Sequence, residues 1–176
     1  MGNLAAAGEI RPVAAADFEA VYQIINDAAA AYRDVIPADR WHEPYMPREE
    51  LRAGIADGIE FSGYYENGEL IGVMGIQDRD EVKLIRHAYV RTLRRNGGIG
   101  GRLLDRLCAD CARPILIGTW ADAVWAIRFY EKHGFRLIAD PERKSKLLRR
   151  FWHVPERQIE TSVVLEDPRN PCRADF

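Results

Sequence analysis

The stretch that decides the fold is Arg95-Asn96-Gly97-Gly98-Ile99-Gly100-Gly101-Arg102, in which four of the eight residues are glycine. An apolar run from Val82 to Val90 precedes it, and leucines at 103, 104 and 107 follow it at helical spacing. A strand that leads through bare backbone into a helix can direct several N–H groups at one anion, and the helix dipole adds attraction. The pattern therefore predicts a cradle for a diphosphate.

The sequence around this loop is basic. Five arginines flank it against a single nearby acid, Asp105; they are Arg91, Arg94, Arg95, Arg102 and Arg106. Such a local excess of positive charge suits a ligand that carries several phosphates. A solvated strand-to-helix turn with surface arginines is the alternative that the loop alone leaves open.

The spacing of the glycines disfavours two common nucleotide motifs. A Walker loop needs Gly-Lys-Ser/Thr after its turn, whereas Gly101 is followed by Arg102 and Leu103. A dinucleotide fingerprint that starts at Gly98 and Gly100 would need a third glycine at position 103. An ATP-binding or NAD-binding regulator is therefore the weakest of the functions considered.

Towards the N-terminus, the pattern predicts two helices and a hairpin. One helix would be capped by Asp17, and a second would start at Pro47. Residues 61–66 and 70–76 read as strands joined through Asn67 and Gly68, a pair that tolerates the positive φ angles of a tight turn. A short extended segment, residues 10–13, precedes them all.

Towards the C-terminus, helices and strands alternate. Residues 114–118 predict a buried strand, and Asp122 is expected to cap a helix that stops at Gly134. Residues 135–138 predict a strand, 144–151 a helix, and the alternation of Ile159, Thr161, Val163 and Leu165 a last strand. The predicted fold is α/β, with a mixed, mostly antiparallel central sheet that is flanked by helices and parallel near its middle.

Composition bounds the class of protein. The chain has 176 residues, 47% hydrophobic and 30% charged, with a formal net charge of -2. We expect a single domain over residues 1–176, with a core at about 9–166 and a loose tail at 167–176. No nucleic-acid partner and no membrane association are expected, because the chain has neither a basic field nor a long apolar run. The absence of a signal-like start and the three sparse cysteines favour the cytoplasm.

Two segments together resemble the GNAT superfamily of N-acetyltransferases. The loop Arg95–Gly100 fits that family's Q/R-x-x-G-x-G/A pattern, and Phe129-Tyr130-Glu131-Lys132-His133-Gly134-Phe135 is similar to its second signature, F-Y-x-x-x-G-F. The resemblance implies the GNAT fold, with its sheet splayed between the fourth and fifth strands. It also implies acetyl-CoA as co-substrate, no metal, and an amine as acceptor.

The resemblance also implies roles for individual residues. Ala88, Tyr89 and Val90 would pair with the pantetheine arm, and the Ala88 N–H would face the thioester carbonyl. The backbone of the loop would hold the diphosphate, through residues Arg95, Asn96, Gly97, Gly98, Ile99, Gly100, Gly101 and Arg102. Tyr130 would act as the general acid that protonates the departing thiolate.

Two positions depart from the family pattern. Ala123 stands where many members carry an asparagine that helps to hold the cofactor, and Leu84 stands where some relatives place a glutamate base. A protonated alkyl amine must lose its proton before it attacks. His87, His42, Glu60 and a water molecule held by backbone carbonyls are the candidate routes, with His87 and the water ranked equally.

Aromatic residues supply candidates for the acceptor pocket. They are Trp41, His42 and Tyr45 in a loop and Trp120 at the end of a strand. The acceptor itself, a small molecule or a peptide, is not specified by the sequence, and a homodimer is one oligomeric state that it leaves open. The main hypothesis is an N-acetyltransferase that works by direct attack in a ternary complex. The alternative is a catalytically weak, CoA-binding sensor or interaction protein.

Overall fold

The structure is a computed structural model and describes residues 8–109 and 111–173. Its strands are β1 (Glu9–Pro12), β2 (Ile59–Glu66), β3 (Glu69–Arg79), β4 (Val82–Val90), β5 (Ile115–Trp120), β6 (Arg136–Leu137) and β7 (Ser162–Glu166). Its helices are α1 (Phe18–Ala29), α2 (Arg48–Ala56), α3 (Ile99–Cys108), α4 (Val124–Lys132), α5 (Pro141–Leu147) and α6 (Glu156–Glu160). Short 3₁₀ turns and a π-helical segment, Leu148–Trp152, complete the chain.

The seven strands form one mixed sheet in the order β1-β2-β3-β4-β5-β7-β6. The β4–β5 pair is parallel, whereas β1–β2, β5–β7 and β6–β7 are antiparallel. Two-residue turns join β2 to β3 and β3 to β4, and only antiparallel neighbours can be joined so tightly. The predicted mixed and mostly antiparallel sheet is confirmed.

The β2–β3 turn has the predicted chemistry. Asn67 and Gly68 have φ angles of 51° and 81°, which places both in the left-handed region that a tight hairpin turn requires. β3 extends beyond the predicted strand 70–76 and continues to Arg79. Asp80, with a φ of 56°, begins the turn to β4.

The pairing of β4 with β5 is short. Lys83, Leu84 and Ile85 pair with Ile115, Leu116 and Ile117, and the register ends there. His87, two residues later, has a φ of 51° within β4, a conformation that interrupts regular strand geometry. The predicted splay between the fourth and fifth strands is confirmed by this short register.

The chain forms two compact units, and β3 and β4 each contribute to both. The first unit contains Glu43–Ile76 together with β1, α1, α3 and the end of β4, and its core includes Ile24, Ile25, Leu51 and Val73. The second contains Ala31–His42, Gln77–Arg86 and the described chain from Cys111 onwards. Its core includes Leu84, Leu116, Leu147, Phe151 and Val164.

Two predicted helix caps differ from the structure. Asp17 occupies the N-cap position of α1, but its carboxylate accepts a hydrogen bond from the Tyr65 hydroxyl at 2.8 Å instead of capping the helix. The N-cap of α4 is Ala123 and not Asp122, and no side chain caps that helix. A tertiary partner 48 residues away competes successfully for Asp17, and sequence spacing cannot reveal it.

The C-terminal helices and strand differ most from those predicted from the sequence. The helix expected at 144–151 begins at Pro141, with Asp140 accepting bonds from the Glu142 and Arg143 amides, and it passes into the π-helical segment. Ile159 belongs to α6, and β7 starts only at Ser162. The predicted last strand was therefore wrong at its start. A short helix also buries one residue in three or four, so its apolar residue was read as part of the alternating pattern of a strand.

One further expectation also differs from the structure. The described part of the expected loose tail is held in place. Cys172 is buried, its amide bonds to Glu166, and its carbonyl accepts from Arg143 at 2.9 Å.

Candidate functional site

The glycine loop presents exposed main-chain amides at the start of α3. Asn96 and Gly98 have φ angles of 63° and 74°, and α3 begins at Ile99 without a side-chain cap. The first helical N–H groups have no partner within the helix. No acceptor for the amides of residues 96–101 lies in the part of the chain that the structure describes. The loop therefore has the backbone geometry that binds an anion.

Several contacts hold this loop in place. The Arg95 guanidinium donates to the carbonyl of Ala28 at 3.0 Å, and the Thr92 amide donates to the Asp27 carboxylate at 2.7 Å. Beneath the start of α3, a β-carbon added at Gly72 would lie 3.0 Å from the Ile99 side chain. The close approach of β3 to α3 thus depends on this glycine.

The flanking arginines make specific contacts with the β2–β3 hairpin. Arg94 forms an ion pair with Glu66, and its hydrogen bond holds the pKa of that carboxyl below the ordinary value. Arg91 donates to the Leu70 carbonyl at 3.0 Å and lies 3.7 Å from Glu69. Arg102 donates to the Tyr64 hydroxyl at 3.0 Å. The Glu66 and Glu69 carboxylates offset part of the positive charge that the sequence around the loop indicated.

The end of β4 lies in the same compact unit as the loop. Ala88, Tyr89 and Val90 are half-buried, and Tyr89 packs against the core of that unit. His87 is also half-buried, and its ring stacks on Phe61 with centroids 6.1 Å apart. The structure thus brings together the predicted pantetheine-binding strand, the predicted base and the predicted diphosphate loop in one unit.

Tyr130 lies on α4 in the second unit. Its side chain is 7% exposed and packs edge-to-face with Phe129 and Phe135 at centroid distances of 5.0 and 6.3 Å. Burial raises the pKa of the phenol well above its usual value, and Tyr32 adds to the effect. Within the described chain its hydroxyl has no hydrogen-bond partner. The group is therefore protonated at neutral pH and can donate to a ligand.

The four predicted acceptor-binding residues are divided between the units. Trp41, His42 and Trp120 belong to the second unit. Trp41 is half-buried, with the Arg33 guanidinium 5.5 Å from the centroid of its ring, whereas His42 is exposed and Trp120 is half-buried. Tyr45 belongs to the first unit, where it packs against the core. Their roles toward an acceptor stay predictions.

The remaining candidates for the base separate by burial. Leu84, which stands where the resemblance implies a glutamate base in some relatives, is 0% exposed inside the core of the second unit. Glu60 is exposed on β2. Ala123, at the start of α4, is fully buried.

Residues 8–109 and 111–173 offer neither a metal site nor a membrane-spanning helix. No cluster of three or more His, Cys, Asp or Glu side chains there is arranged to hold a metal ion. None of the helices in those ranges has both the length and the apolar character needed to cross a bilayer.

Two residues that position the loop were not predicted from the sequence. Asp27 lies 65 positions before its partner Thr92, and Gly72 lies about 27 positions before Ile99. No local motif marks either residue. The only hint in the sequence is the glycine itself within the apolar run at residues 70–76, because a glycine inside a strand can mark a close approach of another element.

Comparisons with known proteins identify the family of the chain and structures that share its fold. A protein-family model described as an acetyltransferase (GNAT) domain matches residues 21–151. A GNAT-family acetyltransferase of Staphylococcus aureus Mu50 superposes with a TM-score of 0.67 at 21% identity, over 91% of this chain and 98% of that one.

Two further solved structures share the fold. PaiA N-acetyltransferase of Thermoplasma acidophilum, solved with coenzyme A, has a TM-score of 0.67 at 17% identity, over 92% of this chain and 98% of that one. The ribosomal-protein-S18-alanine N-acetyltransferase of Escherichia coli has a TM-score of 0.66 at 15% identity, over 97% and 100%. No curated protein matches the chain.

Proposed function

Because the chain belongs to the GNAT acetyltransferase family, we propose that it transfers an acetyl group from acetyl-CoA to a primary amine. The acceptor is a small molecule or a peptide, and the amine attacks the thioester directly in a ternary complex. No metal takes part in this proposal.

One observation carries the proposal: the amides of residues 96–101, at the start of α3, have no protein acceptors in the described chain. They suit the diphosphate of coenzyme A, which needs donors and a positive helix end. Arg95 is held against Ala28 and therefore supports the loop. The backbone of Ala88 and Val90 would pair with the pantetheine arm, and the Ala88 N–H would stabilise the oxyanion, an effect worth about a hundredfold or more in rate.

The chemistry then depends on positioning and two proton transfers. Holding an amine against a thioester supplies about 7–11 kcal/mol, more than one acid or base contributes. His87, or a water molecule, would take the proton of the ammonium. Tyr130 would give a proton to the departing thiolate. Burial raises the pKa of the phenol, which keeps it protonated before the reaction and also makes it a weaker acid.

A second candidate function is a CoA-binding sensor with weak or no turnover. The buried Leu84 and Ala123 favour it, because Leu84 stands where some relatives place a glutamate base and Ala123 where many members carry an asparagine. Both candidates need the same loop, so they differ in turnover and not in coenzyme binding.

Two measurements on the full chain test the proposal. Calorimetry should detect binding of coenzyme A and acetyl-CoA, and release of free thiol should follow when amines, amino acids, polyamines and peptides are supplied. Binding without thiol release from any acceptor would select the sensor. Absence of binding to either form of the coenzyme would remove both candidates.

A further inference from the structure

A tryptophan covers a glycine near the end of β5. A β-carbon added at Gly118 would lie 3.1 Å from two atoms of the Trp152 indole, closer than almost all real contacts of that kind. Trp152 is the last residue of the π-helical segment, and His153 after it has a left-handed φ of 53°. The π-helical turn, which often marks functional sites, thus places this indole directly against the strand.

The same face of the sheet carries Trp120 and Ser162. Gly118 pairs with Val164 and Trp120 with Ser162, and directly opposed residues share a face. Since side chains alternate along a strand, Gly118 and Trp120 also share a face. Val164 packs in the core with Phe151, so this is the face that the π-helical segment covers.

Three side chains at this face still have a hydrogen-bond donor without a protein acceptor in the described part of the chain. Ser162 is only 7% exposed, and in the described chain neither its hydroxyl nor the indole N–H of Trp152 has a partner. The Lys144 ammonium donates to the carbonyls of Ile159 and Ser162 at 2.7 and 3.3 Å, which leaves its third proton. Among residues 8–109 and 111–173, no carboxylate pairs with it. The Ser162 hydroxyl is not among the fully buried unpaired atoms of the described chain, so a ligand can reach it. A hydroxyl and an ammonium with a proton to spare can both donate to an oxygen ligand.

The adjoining edge of β5 is open. Pairing with β4 stops at Ile117, whereas Gly118–Trp120 pair only with β7. Ligands of sheets with parallel strands bind beyond the carboxyl ends of those strands, where side chains and unpaired backbone are accessible. The aromatic face therefore adjoins a stretch of β5, Gly118–Trp120, whose backbone does not pair with β4.

We infer that Trp120, Trp152 and Ser162, supported by Lys144, form a binding subsite for the unreactive part of the amine acceptor. The two indoles would take an apolar or aromatic body, and the donors would take a carbonyl or carboxylate oxygen next to it. The acceptor class is therefore an amine with an apolar body and such an oxygen, as in an amino acid or a peptide N-terminus. This inference rests on the proposed acetyltransferase function.

Four amines of related structure probe the subsite: phenylalanine, phenylalanine amide, phenethylamine and glycine amide. Their binding to the full chain is measured by tryptophan fluorescence with and without coenzyme A. Phenylalanine amide should bind about tenfold more tightly than phenethylamine, which lacks the oxygen, and than glycine amide, which lacks the aromatic body. Comparison of phenylalanine with its amide tells a carboxylate from a peptide carbonyl.

Substitutions separate the two halves of the subsite. Trp152→Ala should remove the preference for the aromatic body, whereas Trp152→Phe should retain most of it. Ser162→Ala should reduce the preference for the oxygen about threefold to tenfold and leave the aromatic preference in place. Trp125→Ala, which removes an exposed indole on α4, is the matched control and should change neither preference.

The outcomes distinguish this inference from the proposed function. Equal binding of all four amines, or preferences that survive both alanine substitutions at 152 and 162, overturns the subsite even if acetyl-CoA binds and turns over. Absence of coenzyme binding overturns the proposed function, and the fluorescence titrations without coenzyme still decide whether the subsite exists. If turnover occurs, the same variants should raise KM for phenylalanine amide and leave kcat nearly unchanged.

Discussion

Tyr130 combines a buried ring with a hydroxyl that has no hydrogen-bond partner in the described chain. The hydroxyl oxygen is not among the fully buried unpaired atoms of the described chain, so it can be reached by a ligand. The phenol carries its proton at neutral pH, because an unperturbed tyrosine already has a pKa of about 10 and burial raises the pKa of Tyr130 further. This combination favours the role of proton donor over a purely structural one.

Replacing Tyr130 by phenylalanine tests that role. Loss of a general acid should lower kcat for thiol release by about a hundredfold or more while the Kd for coenzyme A changes little. Tyr65→Phe is the control, since the Tyr65 hydroxyl bonds Asp17 within the first unit. That variant should lower stability and leave turnover per folded molecule intact. Unchanged kcat in Tyr130→Phe would assign the proton donor elsewhere.

The glycine loop depends on elements that are distant in sequence. Asp27 at the end of α1 accepts from the Thr92 amide, and its carboxylate is negatively charged beside a loop that is proposed to bind an anion. If charge alone governed binding, removing this acid would strengthen it. If positioning governs, removing the bond would weaken it, and the structure favours positioning.

Asp27→Ala and Asp27→Asn separate these two effects. The alanine variant loses the hydrogen bond and should bind coenzyme A about threefold to tenfold more weakly. The asparagine variant keeps an acceptor oxygen without the charge and should bind at least as tightly as the wild type. Calorimetry on both variants gives the answer, and tighter binding by the alanine variant would contradict the positioning role.

Elements near strong local signals were predicted well. The Asn67-Gly68 turn and the strand Val82–Val90 follow from backbone chemistry and hydrophobic pattern over a few residues, and both are present. The caps at Asp17 and Asp122 and the start of the last strand were wrong, because tertiary partners or a short helix overrode local preference. In the candidate site, the loop could be found from its glycines. The contacts that hold it, from Asp27 and Gly72, could not.

At the scale of the whole molecule, carboxylates paired with arginine should control stability in acid. Arg113 forms a two-bond pair with Asp78 and lowers the pKa of that carboxyl to about 2. Asp39, Glu19 and Glu156 are lowered in the same direction by Arg157, Arg48 and Arg149. A depressed pKa in the folded state adds stability that is present above the unfolded value, near 4, and is lost as the pH falls through the folded value.

The melting temperature should therefore stay nearly level from pH 8 to 6 and fall between about pH 4.5 and 2. Asp78→Asn should lower the plateau slightly and make the fall at acid pH shallower. Added salt should reduce both effects, because these pairs are exposed and screened. Scanning calorimetry across that pH range measures all three, and a melting temperature that rises on acidification would have the wrong sign.

The chain is also expected to unfold as a single domain although it forms two compact units. Strands β3 and β4 pass from one unit into the other at Ile76 and Arg86, so neither unit has a complete set of strands of its own. Loss of either core would leave half of each strand without packing, and the two units should therefore melt together.

Calorimetry should give equal van't Hoff and calorimetric enthalpies, with one transition in near-ultraviolet and far-ultraviolet circular dichroism. Saturating coenzyme A should move that whole transition upward, because a ligand that binds only the folded state stabilises every part that unfolds with its site. Two separated transitions, with only one of them shifted by coenzyme A, would show instead that the units fold independently.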